Sequence, residues 1–362
     1  KVFQGWAQSV TKSRGPGRRH GRILVSPPVP GRKVPLLKGT GALCKIDGAE
    51  KRMIVQTGSG EAKLPDFLIV GAARSATTSL FYYLKNYDEI YMPARKEPWF
   101  FSYADNPPNY SSPGAYDVVY KLEDYIALFK SGRNDQIIGE ASPSYLFTYD
   151  TAIRNLKKVY GELYKKLKII IILRNPAERA YSHFMLHKRG YKEPLDFAKA
   201  IEPETIAARR RDNWDIFYDY ISCGLYYAQV KAYLEEFPQV KVLLYEDLAE
   251  DPGKALKEIC EFLSVDFRED VKLERLNKSG VPKFELLNEI INKSSLLKDF
   301  LMPVIPVSVR KRMKHRAYMV NMKPVGMSEE YREYLRPFYV KDVENLSALL
   351  KRDLSVWLEP GR

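Results

Sequence analysis

Two arginines stand just past apolar runs in this 362-residue chain. Arg174 follows "KIIIIL" directly, and Arg74 lies three residues beyond Gly71 in "FLIVGAARSATTSL". A guanidinium offers a planar fork of donors that matches phosphate or sulfate oxygens. Around Arg74 the neighbours Gly71, Ala72, Ala73 and Ala76 keep side chains out of the way, so backbone N–H groups can approach an anion. Ser75, Thr77, Thr78 and Ser79 add hydroxyls, and a helix starting near Thr77 adds free N–H groups and the positive end of its dipole. Ser182, eight residues past Arg174, can return to the same crevice as a second anion seat. Two seats on neighbouring strand ends suit a ligand with two separated anionic groups. The nucleotide-hydrolysing loop reads G-x-x-x-x-G-K-[ST]. In the register "GAARSATT" Gly71 fits, but Ala76 replaces the second glycine and Thr77 the lysine, which disfavours a magnesium nucleotide. On its own the loop is also compatible with a tight strand–helix turn that binds nothing.

These residues need elements to position them. "DFLIVG" is a continuous apolar run of the kind expected for a strand buried on both faces. "SATTSLFYYLKN" follows as a helix. "DQIIGEASP" holds a second short strand, "LKIIIILRNP" a third and "VKVLLYEDL" a fourth. "PAERAYSHFMLHKRG" reads as a helix with Pro176 in its first turn and Gly190 after it. "ISCGLYYAQVKAYLEEFP" and "GKALKEICEFLSV" read as further helices. Strands alternating with helices predict an α/β, three-layer, P-loop-like fold with a central parallel sheet flanked by helices. Ligands then bind at the carboxyl ends of the strands, where Arg74 and Arg174 lie.

Three segments together resemble the sulfotransferases that use 3′-phosphoadenosine 5′-phosphosulfate (PAPS). "FLIVGAARSATTSL" is similar to that family's 5′-phosphosulfate loop, and "LRNPAERAYSHF" to its 3′-phosphate motif. "KEPWFF" (Lys96–Phe101) is similar to the element after the first helix in heparan-sulfate-type and bacterial carbohydrate members. "GEASPSYLFT", "YEDLAEDP" and "FYVKDVENLSALLKRDLSVW" add weaker support, and the likeness spans roughly residues 64–358. The resemblance implies PAPS as donor, PAP as product and no metal. It places the 5′-phosphosulfate in the loop with Arg74, Ser75, Ala76, Thr77, Thr78 and Ser79, and the 3′-phosphate on Arg174 and Ser182. It implies Glu97 as the base that takes the acceptor's proton, with Lys96 neutralising sulfate or acceptor. Lys278, Ser279, Gly280 and Lys283, in "LNKSGVPK", would fold over the donor. The heparan-sulfate branch usually carries lysine where this chain has Arg74, which therefore acts electrostatically. Ala141 stands where part of the family has a lysine, and Glu140 and Ser142 are the substitutes at that strand end. Pro98 predicts an extended backbone at Glu97. The acceptor implied is a saccharide or another hydroxyl or amine compound. Two other classes stay open: a P-loop kinase or NTPase, and a non-catalytic anion- or glycan-binding protein on the same fold.

Composition narrows the field. Residues 1–60 carry 12 Lys/Arg against 2 Asp/Glu, so of the net charge of +13 only about +3 is left for the remaining residues. The basic signal belongs to residues 1–62, read as a flexible basic extension that contacts acidic polymers or is simply solvated, with a short strand near "RMIVQ". Residues 63–362 are then the sulfotransferase domain that the resemblance implies. A specific nucleic-acid partner is not implied. Cys44, Cys223 and Cys260 are far apart, which speaks against a disulfide framework or zinc site. His183 and His187 read as a partly exposed helical pair rather than metal ligands. The aromatic run Trp99, Phe100 and Phe101 reads as core, with an acceptor or adenine wall as the alternative, and "VRKRMKHR" (Val309–Arg316) as a solvated basic face, with guidance of an acidic polysaccharide as the alternative. No apolar run reaches the roughly 20 residues of a membrane span, and a cytoplasmic location is expected. The chain starts with Lys rather than Met, which leaves an upstream segment open.

Overall fold

The computed structural model describes residues 53–57, 60–114, 117–270 and 326–359, with three further short strands at 44–46, 281–282 and 322–323. Strands β1 (Cys44–Ile46), β2 (Met53–Thr57) and β3 (Gly60–Lys63) form a small antiparallel sheet in the order β1-β2-β3. β2 is the strand expected near "RMIVQ". Met53 on it packs into the main core with Leu64.

The central sheet has five strands in the order β5-β6-β4-β7-β8, all parallel. They are β4 (Phe67–Gly71), β5 (Ile90–Tyr91), β6 (Ile137–Ala141), β7 (Lys168–Leu173) and β8 (Val240–Leu244). The four strands expected from the sequence are β4, β6, β7 and β8. The edge strand β5 is an addition, two residues long. From β4 the chain fills one side of the sheet with β5 and β6, then crosses to the other side for β7 and β8. The order thus reverses around β4, and a crevice opens beyond the carboxyl ends there.

Alternation along the strands divides the core in two. Leu68, Val70, Ile169, Ile171 and Leu173 face one layer; Phe67, Ile69, Ile170, Ile172 and Leu243 face the other. All five residues Ile169–Leu173 are fully buried, and each contributes roughly 1.5–3 kcal/mol by leaving water. The second layer is closed by α1 (Thr77–Leu84) and by a helix over Pro252–Leu263, through Leu80, Phe81, Leu84, Leu256 and Ile259. The first layer is closed by α2 (Tyr149–Tyr160), α3 (Pro176–Arg189), α4 (Tyr226–Glu236) and α5 (Glu329–Leu350). The three-layer α/β architecture is as expected.

Local chemistry sets the helix ends. Asn175 caps α3, its side chain accepting from the N–H groups of Ala177 (3.0 Å) and Glu178 (3.2 Å), with Pro176 at the first position. The α4 helix begins only at Tyr226, later than "ISCGLYY" suggests, because Ser222–Gly224 forms a 3-10 turn. Leu225 at its cap has no side-chain acceptor. Asp342 of α5 serves instead, accepting from Tyr226 N–H (2.7 Å) and Tyr227 N–H (3.2 Å).

Candidate active site

Gly71 ends β4, and its bareness serves packing rather than a ligand. A Cβ there would run into the Leu146 side chain. Beyond it the loop bends through two left-handed residues, Arg74 (φ 73°) and Ala76 (φ 64°). Such alternations bring successive N–H groups to one side, as anion-binding loops require. Ala76 is the N-cap of α1 and has no side-chain oxygen to offer the helix's first N–H groups. The first turn, Thr77, Thr78, Ser79 and Leu80, is uncharged, so the positive end of the helix is left for an external anion.

An open cleft lies over this loop. Among the expected site residues, Arg74, Ala76, Thr77, Thr78, Ser79, Glu97, Arg174 and Ser182 line it. Ser75 does not; it is fully buried behind the loop. Lys96 is not on the wall either, and its Nζ pairs with the Glu97 carboxylate. Glu140 and Ser142 are fully buried beneath the cleft and do not face it, so neither stands in for an acceptor-side lysine. Lys278, Ser279, Gly280 and Lys283, and the basic run 309–316, lie outside the described residues.

The two anion seats adjoin. Arg74 Nε donates to Ser182 Oγ at 3.1 Å, and an Arg174 NH group donates to the Arg74 carbonyl at 3.4 Å. Arg174 lies over the Tyr245 ring at 4.6 Å and pairs with Glu178 at 3.6 Å. Burial, and then the neighbouring Arg174 charge, pull the Arg74 guanidinium down to about 10. It stays charged at neutral pH, and the crowding of like charges favours an anion between them.

Glu97 reaches the cleft from a segment that crosses the end of β6. Its φ is 59°, in the left-handed region, where Pro98 had predicted extended backbone. Tertiary hydrogen bonds override the local preference: Glu97 N–H donates to the Ala141 carbonyl and Trp99 N–H to Ser142 Oγ, both at 3.1 Å. Below them Glu140 accepts hydrogen bonds from Tyr145 (2.8 Å) and Tyr125 (3.2 Å). Desolvation pushes its carboxyl up to about 7 against the pull of its hydroxyl donors.

Several lining residues were not foreseen from the sequence. Tyr245, Leu248, Ala249 and Pro252 follow β8 in "YEDLAEDP", a strand-end position that could have flagged them. His183, Leu186 and Phe217 arrive by tertiary packing. Phe100 and Phe101 are core, as expected, whereas Trp99 is buried yet also lines the cleft. The expected exposure of the histidines is corrected: His183 and His187 are both buried. His183 Nδ1 lies 3.2 Å from Arg179, and His187 Nδ1 lies 2.9 Å from the Tyr220 hydroxyl. Desolvation pushes both below the ordinary imidazole range, so they are neutral.

A parallel sheet with clustered guanidiniums and an open helix N-terminus at its switch point defines an α/β protein whose cleft suits a phosphate- or sulfate-bearing ligand. The family model described as "Sulfotransferase domain" matches residues 155–344, and the chain belongs to that enzyme family. A sulfotransferase crystal structure from Alicyclobacillus acidocaldarius is 31% identical, with a TM-score of 0.63, covering 82% of this chain and 99% of that one. The "Membrane-associated sulfotransferase kil1" of Dictyostelium discoideum is 25% identical across 56% of each chain. The mouse "Heparan sulfate glucosamine 3-O-sulfotransferase 3B1" is 26% identical across 58% of this chain and 48% of its own. The chain spans about half the length of these curated relatives. The expected cytoplasmic location is corrected by the Dictyostelium relative, which is membrane-associated by name. Among the described residues no helix is long and apolar enough to cross a membrane.

Proposed function

We propose that the chain transfers the sulfuryl group of PAPS to a hydroxyl or amine of a saccharide acceptor. The observation that carries this reading is the convergence of Arg74, Arg174 and Ser182 on the open N-terminus of α1. A PAPS donor presents two anionic ends, and the cleft holds two cationic seats. The 5′-phosphosulfate would take the loop from Arg74 to Ser79, and the 3′-phosphate would take Arg174 and Ser182, drawing Ser182 Oγ away from Arg74. The saccharide acceptor is supported by the heparan sulfate glucosamine relatives.

The chemistry resembles phosphoryl transfer, which is mostly positioning and charge stabilisation. The acceptor oxygen or nitrogen attacks sulfur in line with the bridging oxygen. The S–O bond to the 5′-phosphate breaks, and PAP leaves with that electron pair. Arg74 and the α1 N-terminus stabilise the charge growing on the leaving phosphate. Glu97, on the wall of the same cleft, takes the acceptor's proton; Lys96 pairs with its carboxylate.

Thermal shift with PAP and with ATP–Mg tests the donor. PAP at a hundred times its Kd should stabilise the protein by about 2.7 kcal/mol; a shift with ATP–Mg and none with PAP refutes the reading. Label transfer from radioactive PAPS to polysaccharides, glycolipids, phenols and amines tests the acceptor. Glu97→Gln should keep PAP affinity and lose about 10²–10⁴ in kcat, the usual worth of a general base.

A further inference from the structure

The segment that carries Glu97 is held in an unusual shape. Glu97 (φ 59°) and Trp99 (φ 61°) both sit in the left-handed region, on either side of Pro98. Side chains with a Cβ resist that conformation, and such strain persists only where the surroundings over-determine it. Three tertiary hydrogen bonds do so here. Glu97 N–H meets the Ala141 carbonyl, Val119 N–H meets the Pro98 carbonyl at 2.8 Å, and Trp99 N–H meets Ser142 Oγ. Only the last of these uses a side-chain oxygen.

Ser142 is fully buried and fixed in turn. Its N–H donates to the Ile69 carbonyl at 3.1 Å, and its carbonyl accepts from Tyr145 N–H at 3.1 Å. Ile69 belongs to β4, the strand that leads into the Arg74 loop. One residue therefore ties the carboxylate's turn to the strand that leads to Arg74, and both side chains line the same cleft. Trp99 carries the constraint into the cleft as well, because its ring packs edge-on against Phe217 at 5.2 Å. Neither Ser142 nor its hydroxyl reaches the cleft.

We infer that Ser142 is a positioning residue for the transfer step: its hydroxyl, by holding Trp99 N–H, aims the Glu97 carboxylate at the acceptor. This rests on the reading of Glu97 as the base. It separates Ser142 from the residues that bind the donor. Misplacing a reacting group by about 1 Å costs on the order of 10²-fold, so the loss should fall on kcat.

The test is a double-mutant cycle of Ser142→Ala with Glu97→Gln. It is read with radioactive PAPS and the polysaccharide that accepts most label. Ser142→Ala should lower kcat by about 10–100-fold and leave PAP Kd within about twofold. In the Glu97→Gln background it should make no further difference, because the carboxylate it aims is gone. A purely structural role would instead multiply the two losses, or raise PAP Kd, and either result overturns the inference. Wild-type kcat in Glu97→Gln overturns both this inference and the base assignment. A slow Glu97→Gln beside a Ser142→Ala at wild-type rate overturns Ser142 alone. If Ser142→Ala fails to fold, Ser142→Cys, close in size and a weaker acceptor, takes its place in the same cycle; a kcat at the wild-type level then rejects the role.

Discussion

Glu140 should make the protein less stable as pH rises from about 4.5 toward neutrality. Its carboxyl is fully buried, and burial lifts it from an ordinary 4.5 to about 7. Between those values the folded chain holds a proton that the unfolded chain releases. Stability therefore falls as pH climbs from about 4.5, and the full penalty is present above about 7. At about 1.4 kcal/mol per pH unit the penalty is about 3 kcal/mol. Glu140→Gln removes the ionisation but keeps an oxygen that can accept from Tyr145 and Tyr125. Urea unfolding followed by tryptophan fluorescence, from pH 4.5 to 8, measures both proteins. The wild type should lose about 3 kcal/mol more than Glu140→Gln across that range. Asp215 and Asp342, both pushed up to about 6 by burial, titrate in both proteins and cancel in the difference. Two curves that run parallel within about 1 kcal/mol would refute the argument that an unrelieved desolvation cost sits at this strand end.

Two further outcomes are expected. Arg174→Ala should raise the PAP Kd by about 10–100-fold in calorimetry, since a hydrogen bond to a charged group is worth about 1.5–3 kcal/mol; an unchanged Kd removes Arg174 from the donor site. Asp342→Ala should cost about 1–2 kcal/mol in urea unfolding by uncapping α4, with kcat intact; no loss of stability would show that the Tyr226 and Tyr227 N–H groups find another partner.

Much of the sheet could be read directly because its strands are apolar on both faces. "FLIVG" and "KIIIIL" stand out for that reason, while "IIGEA" and "VKVLL" each carry one charged residue, Glu140 and Lys241, among apolar ones. The two residues of β5 carry no such signal, and only pairing with β6 makes them a strand. Arg74, Arg174 and Ser182 were legible because strand ends and the following helices have fixed geometry. Glu97 was legible as a residue but not as a conformation, since Pro98 speaks for extended backbone and the Ala141 and Ser142 bonds decide otherwise. Phe217 reaches the cleft from a 3-10 turn far along the chain, a contact that no local pattern encodes. The histidines misled for a related reason. The face they occupy looks polar in sequence, but Tyr218 and Tyr220 cover it: the His187 ring stacks on Tyr218 at 4.3 Å.

The run of four isoleucines in β7 has a consequence for how the chain finds its fold. Slid by one position, it would still present isoleucine to both layers, so burial alone hardly distinguishes neighbouring alignments. The choice falls to the two charged ends, Lys168 at the entrance and Arg174 at the exit. Arg174 thus serves as a stop that keeps the strand from being drawn further into the core. The guanidinium assigned to the donor's phosphate also carries folding information. An apolar, β-branched residue in its place would weaken both at once, and alignment errors during folding would accompany the loss of binding.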